Sequence, residues 1–167
     1  MPENLSDNDL DSDPQSRGTA WVVGQALMFG LFVASLIWGD SVDDVPGLVV
    51  IQIVGLVLAF IGAAMSGWAA VHHGARLTPF PKPTDGMPLI DAGPYRFVRH
   101  PMYTGIIAFV FGVGLAYANL PTVLTGFLFV VFFMAKTGEE EDMLVRDVPG
   151  YREYRSSVPW RLIPYVM

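Results

Sequence analysis

The alternation of long apolar runs with short polar breaks predicts helices that cross a membrane. Residues 20–38 carry no charge, and a helix needs roughly twenty apolar residues to traverse the hydrocarbon layer. Asp40, Asp43 and Asp44, then Pro46 and Gly47, end that run. A second charge-free run covers residues 45–71, long enough to span with tilt. Ala59, Ala63 and Gly67 fall on one helical face of it, with Gly62 and Ser66 on a neighbouring face. Small residues at this spacing let helix backbones approach closely in lipid, so they read as packing positions. Residues 101–135 are again uncharged, divided by Asn119-Leu120-Pro121 into two halves. This predicts a tight helical hairpin. The expected spans lie near 19–38, 46–73, 101–118 and 121–138, with residues 139–145 extending the fourth helix. The fold class is therefore an all-α integral membrane protein with about four transmembrane helices.

The remaining segments are polar. Pro79, Pro81, Pro83, Pro88 and Pro94 rule out a long helix over residues 74–100. Residues 1–18 form an acidic tail, with Glu3, Asp7, Asp9, Asp11 and Asp13, and too few bulky apolar groups to offset the entropy of ordering. The net charge of -6 resides largely in that tail, so it says little about a substrate. Only 16% of residues are charged, against about 25% in soluble domains. The absence of cysteine removes disulfides, thiolate metal sites and cysteine catalysis. Apart from Arg17, every Lys and Arg lies in 74–100 or 136–161. Basic connections face the cytoplasm, so both termini and both basic regions are expected there, with residues 139–167 as a cytoplasmic C-terminal segment.

A hairpin with a short turn brings its open ends together. Residues 93–103 enter the third helix and residues 136–141 leave the fourth, so His100, Tyr103, Lys136 and Glu140 should converge. Pro101 suits the first turn of a helix, whose free N–H groups favour an anion. Tyr95, Tyr103 and His100 offer aromatic faces that attract a sulfonium or ammonium, and Glu140 or Glu141 can receive an amino group. A zwitterion with an aromatic portion fits this mouth; S-adenosylmethionine is one of many. His72-His73 resembles a metal pair, but neighbouring residues on a helix diverge by about 100°, so they read as an interfacial helix end. Trp38, Trp68 and Trp160 read as belt residues at the membrane interface.

Gly93-Pro-Tyr-Arg-Phe-Val-Arg-His-Pro-Met-Tyr-Thr-Gly105, followed by Glu140-Glu141-Asp-Met-Leu144, Tyr151-x-x-Tyr154 and the Arg-Leu-Ile-Pro164 end, resembles the signature of the isoprenylcysteine carboxyl methyltransferase and phospholipid methyltransferase superfamily. The resemblance covers roughly residues 75–165. It implies a membrane methyltransferase that uses S-adenosylmethionine, bound in a cytoplasmic cleft formed by the 74–100 loop, the open end of the hairpin and the C-terminal segment. By the same resemblance, residues 87–90, Leu89 and Ile90 among them, line the cofactor. Tyr95, His100, Pro101, Met102 and Tyr103 match cofactor-binding positions, and Glu140 matches the acid that holds the amino-acid end. Lys136 stands where isoprenylcysteine enzymes place a substrate-facing arginine. Lysine keeps the charge but lacks the fork that grips a carboxylate in two places, which weighs against that acceptor. Pro149-Gly150 interrupts a C-terminal helix that is usually more continuous.

The expected reaction is methyl transfer to a lipid or lipid-linked acceptor, a carboxylate or an amine. An amine acceptor must attack as the neutral base; Glu141 and Tyr103 are the candidates to receive its proton. Arg99 is a further catalytic candidate, with lipid phosphate as its alternative partner. Two other readings stay open: methyl transfer to a small hydrophobic molecule such as a thiol, and a non-enzymatic membrane binding module. Neither a nucleic acid nor a metal is an expected partner.

Overall fold

The structure is a computed structural model that describes residues 14–74, 80, 86, 88–164 and 166. Most of the acidic tail, and Arg76, Lys82 and Met87 in the proline-rich connection, lie outside the described residues. Five α-helices follow in order: α1 Pro14–Trp38, α2 Leu48–His73, α3 Pro101–Ala116, α4 Leu120–Asp147 and α5 Tyr151–Ser157, with a 3-10 turn at Gly93–Arg96 before α3. Among the described residues there is no strand beyond an isolated bridge between Ser41 and Asn119.

Gly18–Trp38, Leu48–His73 and Leu120–Asp147 are long and apolar enough to cross a membrane. The expected third span is not: α3 has 16 residues, about 24 Å at the helical rise, short of a hydrocarbon layer of roughly 30 Å. It stops early because Ala118 takes a positive φ of 49°, and Asn119 then caps α4 by accepting from the Thr122 N–H at 2.9 Å. The same amide donates to Gly39 O at 2.9 Å, and Val42 N–H donates to Ala118 O. Ser35 and Thr122 share a further bond of 3.0 Å. The end of α1 and the start of α4 are thereby sewn together. α4 continues without interruption past the apolar segment to Asp147, so Lys136, Glu140 and Glu141 sit on one rigid rod. Gly150, at φ 82°, makes the turn into α5 where Pro149-Gly150 was expected to break the helix.

Helices α2 and α3 lie backbone to backbone. A Cβ at Gly62 would stand 2.5 Å from Gly105 O, and one at Gly112 would stand 2.7 Å from Gly55 O. Ser66 Oγ donates to Met102 O at 3.0 Å within this seam. Of the two small faces expected on α2, the Gly62–Ser66 face meets α3, joined by Ala59 and by Gly55. Ala63 and Gly67 point away. A main core of Phe32, Ile107, Val110, Phe129, Phe133 and Leu162 joins α1, α3, α4 and the C-terminal segment. A second cluster of Ala69, Tyr95, Val148, Tyr151, Tyr154 and Val158 lies beneath the 3-10 turn and α5. The wide exposed apolar faces of α1 and α2, including Leu27, Ile37, Val49, Phe60 and Val71, suit contact with lipid.

Gly105→Leu is expected to destabilise the fold by about 3 kcal/mol or more, because its side chain would meet Ser66 and the α2 backbone. Gly67→Ala, which meets nothing within 4 Å, should leave stability unchanged or raise it by up to ~1 kcal/mol. Thermal unfolding of the two variants in detergent tests the contrast.

Candidate active site

The two arms expected to converge do so. His100 is the N-cap of α3 and Pro101 its first residue, and the following turn places Tyr103 beside α4. Tyr103 OH donates to Glu140 Oε1 at 3.1 Å. His100 Nδ1 stands 3.7 Å from Glu140 Oε2, too far for a hydrogen bond. The rings of His100, Tyr103 and Phe133 form a stack, with centroids 5.9 and 4.4 Å apart. Lys136 Nζ lies 5.2 Å from the centre of the Tyr103 ring. Its ammonium is buried and donates to Gln25 Oε1 of α1 at 2.6 Å.

Glu141 is the most heavily bonded side chain of the site. Its carboxylate is 1% exposed. Oε1 accepts from Arg99 Nε at 2.6 Å and His100 Nε2 at 3.2 Å. Oε2 accepts from Arg99 Nη2 at 3.3 Å and faces Arg161 Nη2 at 3.3 Å and Arg155 Nε at 3.6 Å. Three hydrogen bonds and two further arginine contacts therefore converge on one carboxylate. Arg99 is equally committed: Nη1 donates to Val158 O and Pro159 O, both at 2.7 Å. The backbone completes the tie, with Arg99 N–H on Trp160 O and His100 N–H on Arg161 O. Thr104 Oγ1 donates to Leu162 O at 2.5 Å. The apolar C-terminal end therefore lies against the body, clamped to the entrance of α3.

Leu89, Ile90 and Met102 pack on the neighbouring cluster around Tyr95 and Tyr154. Tyr95 OH and His73 Nδ1 share a bond of 2.6 Å, and Tyr154 OH donates to Tyr95 O at 2.7 Å. Burial pushes the hydroxyls of Tyr95 and Tyr154 well above the ordinary tyrosine range, so both stay protonated. His72 packs over Gly93, where a Cβ would meet its ring. The two histidines thus diverge as expected, and each braces the 3-10 turn. An open cleft of about 490 Å³ lies on the outer side of this cluster, lined in part by Leu89, Arg96, Gly150 and Tyr154. His100, Tyr103 and Glu140 are not in its lining.

Among the described residues, two buried side-chain polar atoms have no hydrogen-bond partner: Glu140 Oε2 and Tyr151 OH. A buried polar atom left unsatisfied is costly, and Glu140 Oε2 lies where the two arms of the hairpin meet.

A family model described as phospholipid methyltransferase matches residues 50–147. The chain belongs to the phospholipid methyltransferase family. The match takes in α2, the 3-10 turn, α3 and α4, and so both arms of the site; it excludes α1. Among curated proteins, the chain is 26% identical over 132 residues to the cobalt-zinc-cadmium resistance protein CzcN of Cupriavidus metallidurans, covering 76% of this chain and 56% of that protein. It is 23% identical over 139 residues to the nickel-cobalt-cadmium resistance protein NccN of Alcaligenes xylosoxydans xylosoxydans, covering 83% of this chain and 60% of that protein. The chain thus spans little more than half the length of these relatives.

Four participants are not among the residues expected from sequence. Gln25 is a polar residue inside an apolar run, a signal in its own right. Phe133 is indistinguishable by sequence from any lipid-facing phenylalanine. The joint grip of Arg155 and Arg161 on Glu141 depends on the fold of the C-terminal segment.

Glu141→Gln should destabilise the protein by about 3 kcal/mol or more, since it leaves Arg99 as a buried cation with half its partners weakened. Limited proteolysis should then cut within 158–163. Arg155→Ala, whose side chain is 43% exposed, should change stability by no more than about 0.5 kcal/mol.

Proposed function

We propose that the protein is an S-adenosylmethionine-dependent methyltransferase acting on a lipid acceptor, and that Glu140 receives the ammonium group of the methyl donor. The observation that carries this reading is Glu140 Oε2, which has no hydrogen-bond partner and is buried beside His100 and Tyr103 in a member of a methyltransferase family. A primary ammonium supplies the missing donor and the opposite charge. Tyr103, by donating to Oε1, fixes the carboxylate so that Oε2 faces inward. The stacked His100 and Tyr103 rings offer faces suited to a sulfonium. Leu89, Ile90, Met102 and Tyr95 are assigned to the apolar portion of the donor, and the opening turn of α3 at Pro101 to its carboxylate. When bound, S-adenosylmethionine supplies an electrophilic methyl group, whose transfer leaves a neutral thioether. The protein's own contribution is position and charge.

The acceptor favoured here is a phospholipid amine. The family match supports a lipid substrate. Lys136, the cation that would meet a carboxylate acceptor, is buried and bonded to Gln25. Glu141 and Arg99, catalytic candidates by sequence, are assigned a positioning role instead. Their polar atoms are used in holding His100 and the C-terminal segment, and Tyr103 is itself a donor to Glu140, so the acceptor amine is assigned to lose its proton to interfacial water before it attacks. The basic ends of the helices are assigned to the cytoplasmic side by the positive-inside rule, with the acceptor arriving laterally from the bilayer.

Isothermal calorimetry of the full chain in detergent should show S-adenosylmethionine binding. Glu140→Gln should weaken it by roughly 10- to 100-fold, the worth of a charge-assisted hydrogen bond, with unchanged helicity by circular dichroism. Vesicles containing phosphatidylethanolamine and a labelled methyl donor should then yield labelled lipid. A folded wild-type protein that binds no S-adenosylmethionine would reject the reading. Binding without label in lipid would shift the acceptor to a small hydrophobic molecule.

A further inference from the structure

Lys136 and Glu140 stand four residues apart on α4, the spacing at which a lysine and a glutamate ordinarily meet. Here the lysine leans the other way. Its Nζ donates to Gln25 Oε1 on α1 at 2.6 Å and lies over the Tyr103 ring, while Glu140 Oε2 has no hydrogen-bond partner although it is buried. A buried carboxylate oxygen with a lysine one turn away attracts that lysine strongly, because the low local dielectric magnifies the pairing. Something must hold the two apart. Gln25 is suited to do so. Its amide oxygen can only accept and a lysine ammonium can only donate, so the bond has one polarity. Gln25 also lies on α1, outside the residues matched by the family model, so this restraint reaches the site from a separate helix.

We propose that Gln25 is a positioning residue that restrains the Lys136 ammonium and thereby keeps Glu140 Oε2 open for the amino group of the incoming ligand. The ligand part of this statement rests on the assignment of Glu140 to the donor's ammonium; the restraint itself does not. Loss of the Gln25 acceptor weakens the hold on Lys136 and favours its turning along α4 to pair with Glu140, closing the site with an internal ion pair. The ligand amine and the Lys136 amine are thus rivals for one carboxylate oxygen, and α1 decides between them.

Two readouts on the full chain in detergent separate the restraint from the ligand assignment. The first is a zero-length amide crosslink between Lys136 and Glu140, formed with a carbodiimide and read by peptide mass spectrometry. The second is S-adenosylmethionine affinity by calorimetry. Gln25→Leu should raise the crosslink above the wild-type level and weaken affinity by about tenfold. Gln25→Glu, which keeps the acceptor and adds a charge that holds Lys136 at least as firmly, should keep the Lys136–Glu140 crosslink at or below the wild-type level. In the Lys136→Met background, where the rival amine is gone, Gln25→Leu should leave affinity unaltered; this comparison also serves if Gln25→Leu alone fails to fold. No rise in the crosslink in Gln25→Leu overturns the proposal. So does a loss of affinity that persists in the Lys136→Met background, since Gln25 would then be acting only through packing. If wild type binds no S-adenosylmethionine while the crosslink rises in Gln25→Leu, the restraint stands and the assignment of the ligand falls.

Discussion

A single carboxylate, that of Glu141, sets the geometry on which the rest of the site depends. It lies near the end of α4, and its partners come from three other places in the chain: Arg99 and His100 before α3, Arg155 on α5, and Arg161 in the final segment. An ion pair so deeply buried is poor as a source of net stability, since removing the charges from water offsets much of their attraction. Its value here is directional. The donors approach from different sides, so the carboxylate fixes the orientation of His100 and the path of the C-terminal segment together. The neighbouring Glu140 inherits its position from the same helical turn, and this is how adjacent acids on one helix come to differ so sharply. One is saturated with donors; the other keeps a vacant oxygen.

The second constraint is the seam between α2 and α3. Glycines at 55, 62, 105 and 112 bring the two backbones into contact, which holds a helix of 16 residues closely against α2. In lipid the apolar effect between helices is weak, and dispersion across a close seam takes its place. That seam also fixes the height of Met102, through its carbonyl bond to Ser66, and so the height of His100 and Tyr103 relative to α2. The His73–Tyr95 bond adds a second tie between the end of α2 and the approach to α3.

Helix positions followed closely from the apolar runs, because charge is so scarce in this chain that each polar break stands out. The hairpin and the helical continuation through Glu139 to Val145 were legible for the same reason, and the convergence of His100, Tyr103, Lys136 and Glu140 followed from them. The length of α3 was not legible. Tyr117 and Ala118 are compatible with a helix by composition, and only the left-handed turn at Ala118 and the cap at Asn119 end it. The small residues of α2 announced a packing face, but periodicity alone could not say which of two adjacent faces met α3. The duties of Glu141 and Arg99 were hidden because their partners, the Val158 and Pro159 carbonyls and the Arg161 side chain, belong to a segment whose fold has no periodicity to read. The destination of Lys136 was hidden likewise, since Gln25 lies more than a hundred residues upstream.

The stitching at Asn119 has a mechanical consequence. Gly39, Val42 and Ser35 are fastened to the start of α4 and its preceding turn, whereas at the other end α1 reaches α4 through Gln25 and Lys136. From Gly39 to Gln25 the helix is a lever of about 20 Å. With its fulcrum riveted, α1 lies along α4 like the arm of a pair of tweezers, so that any tilt at the rivet is magnified at the tip. The Gln25–Lys136 bond and the Trp21–Phe132 ring contact are the clasp at that tip.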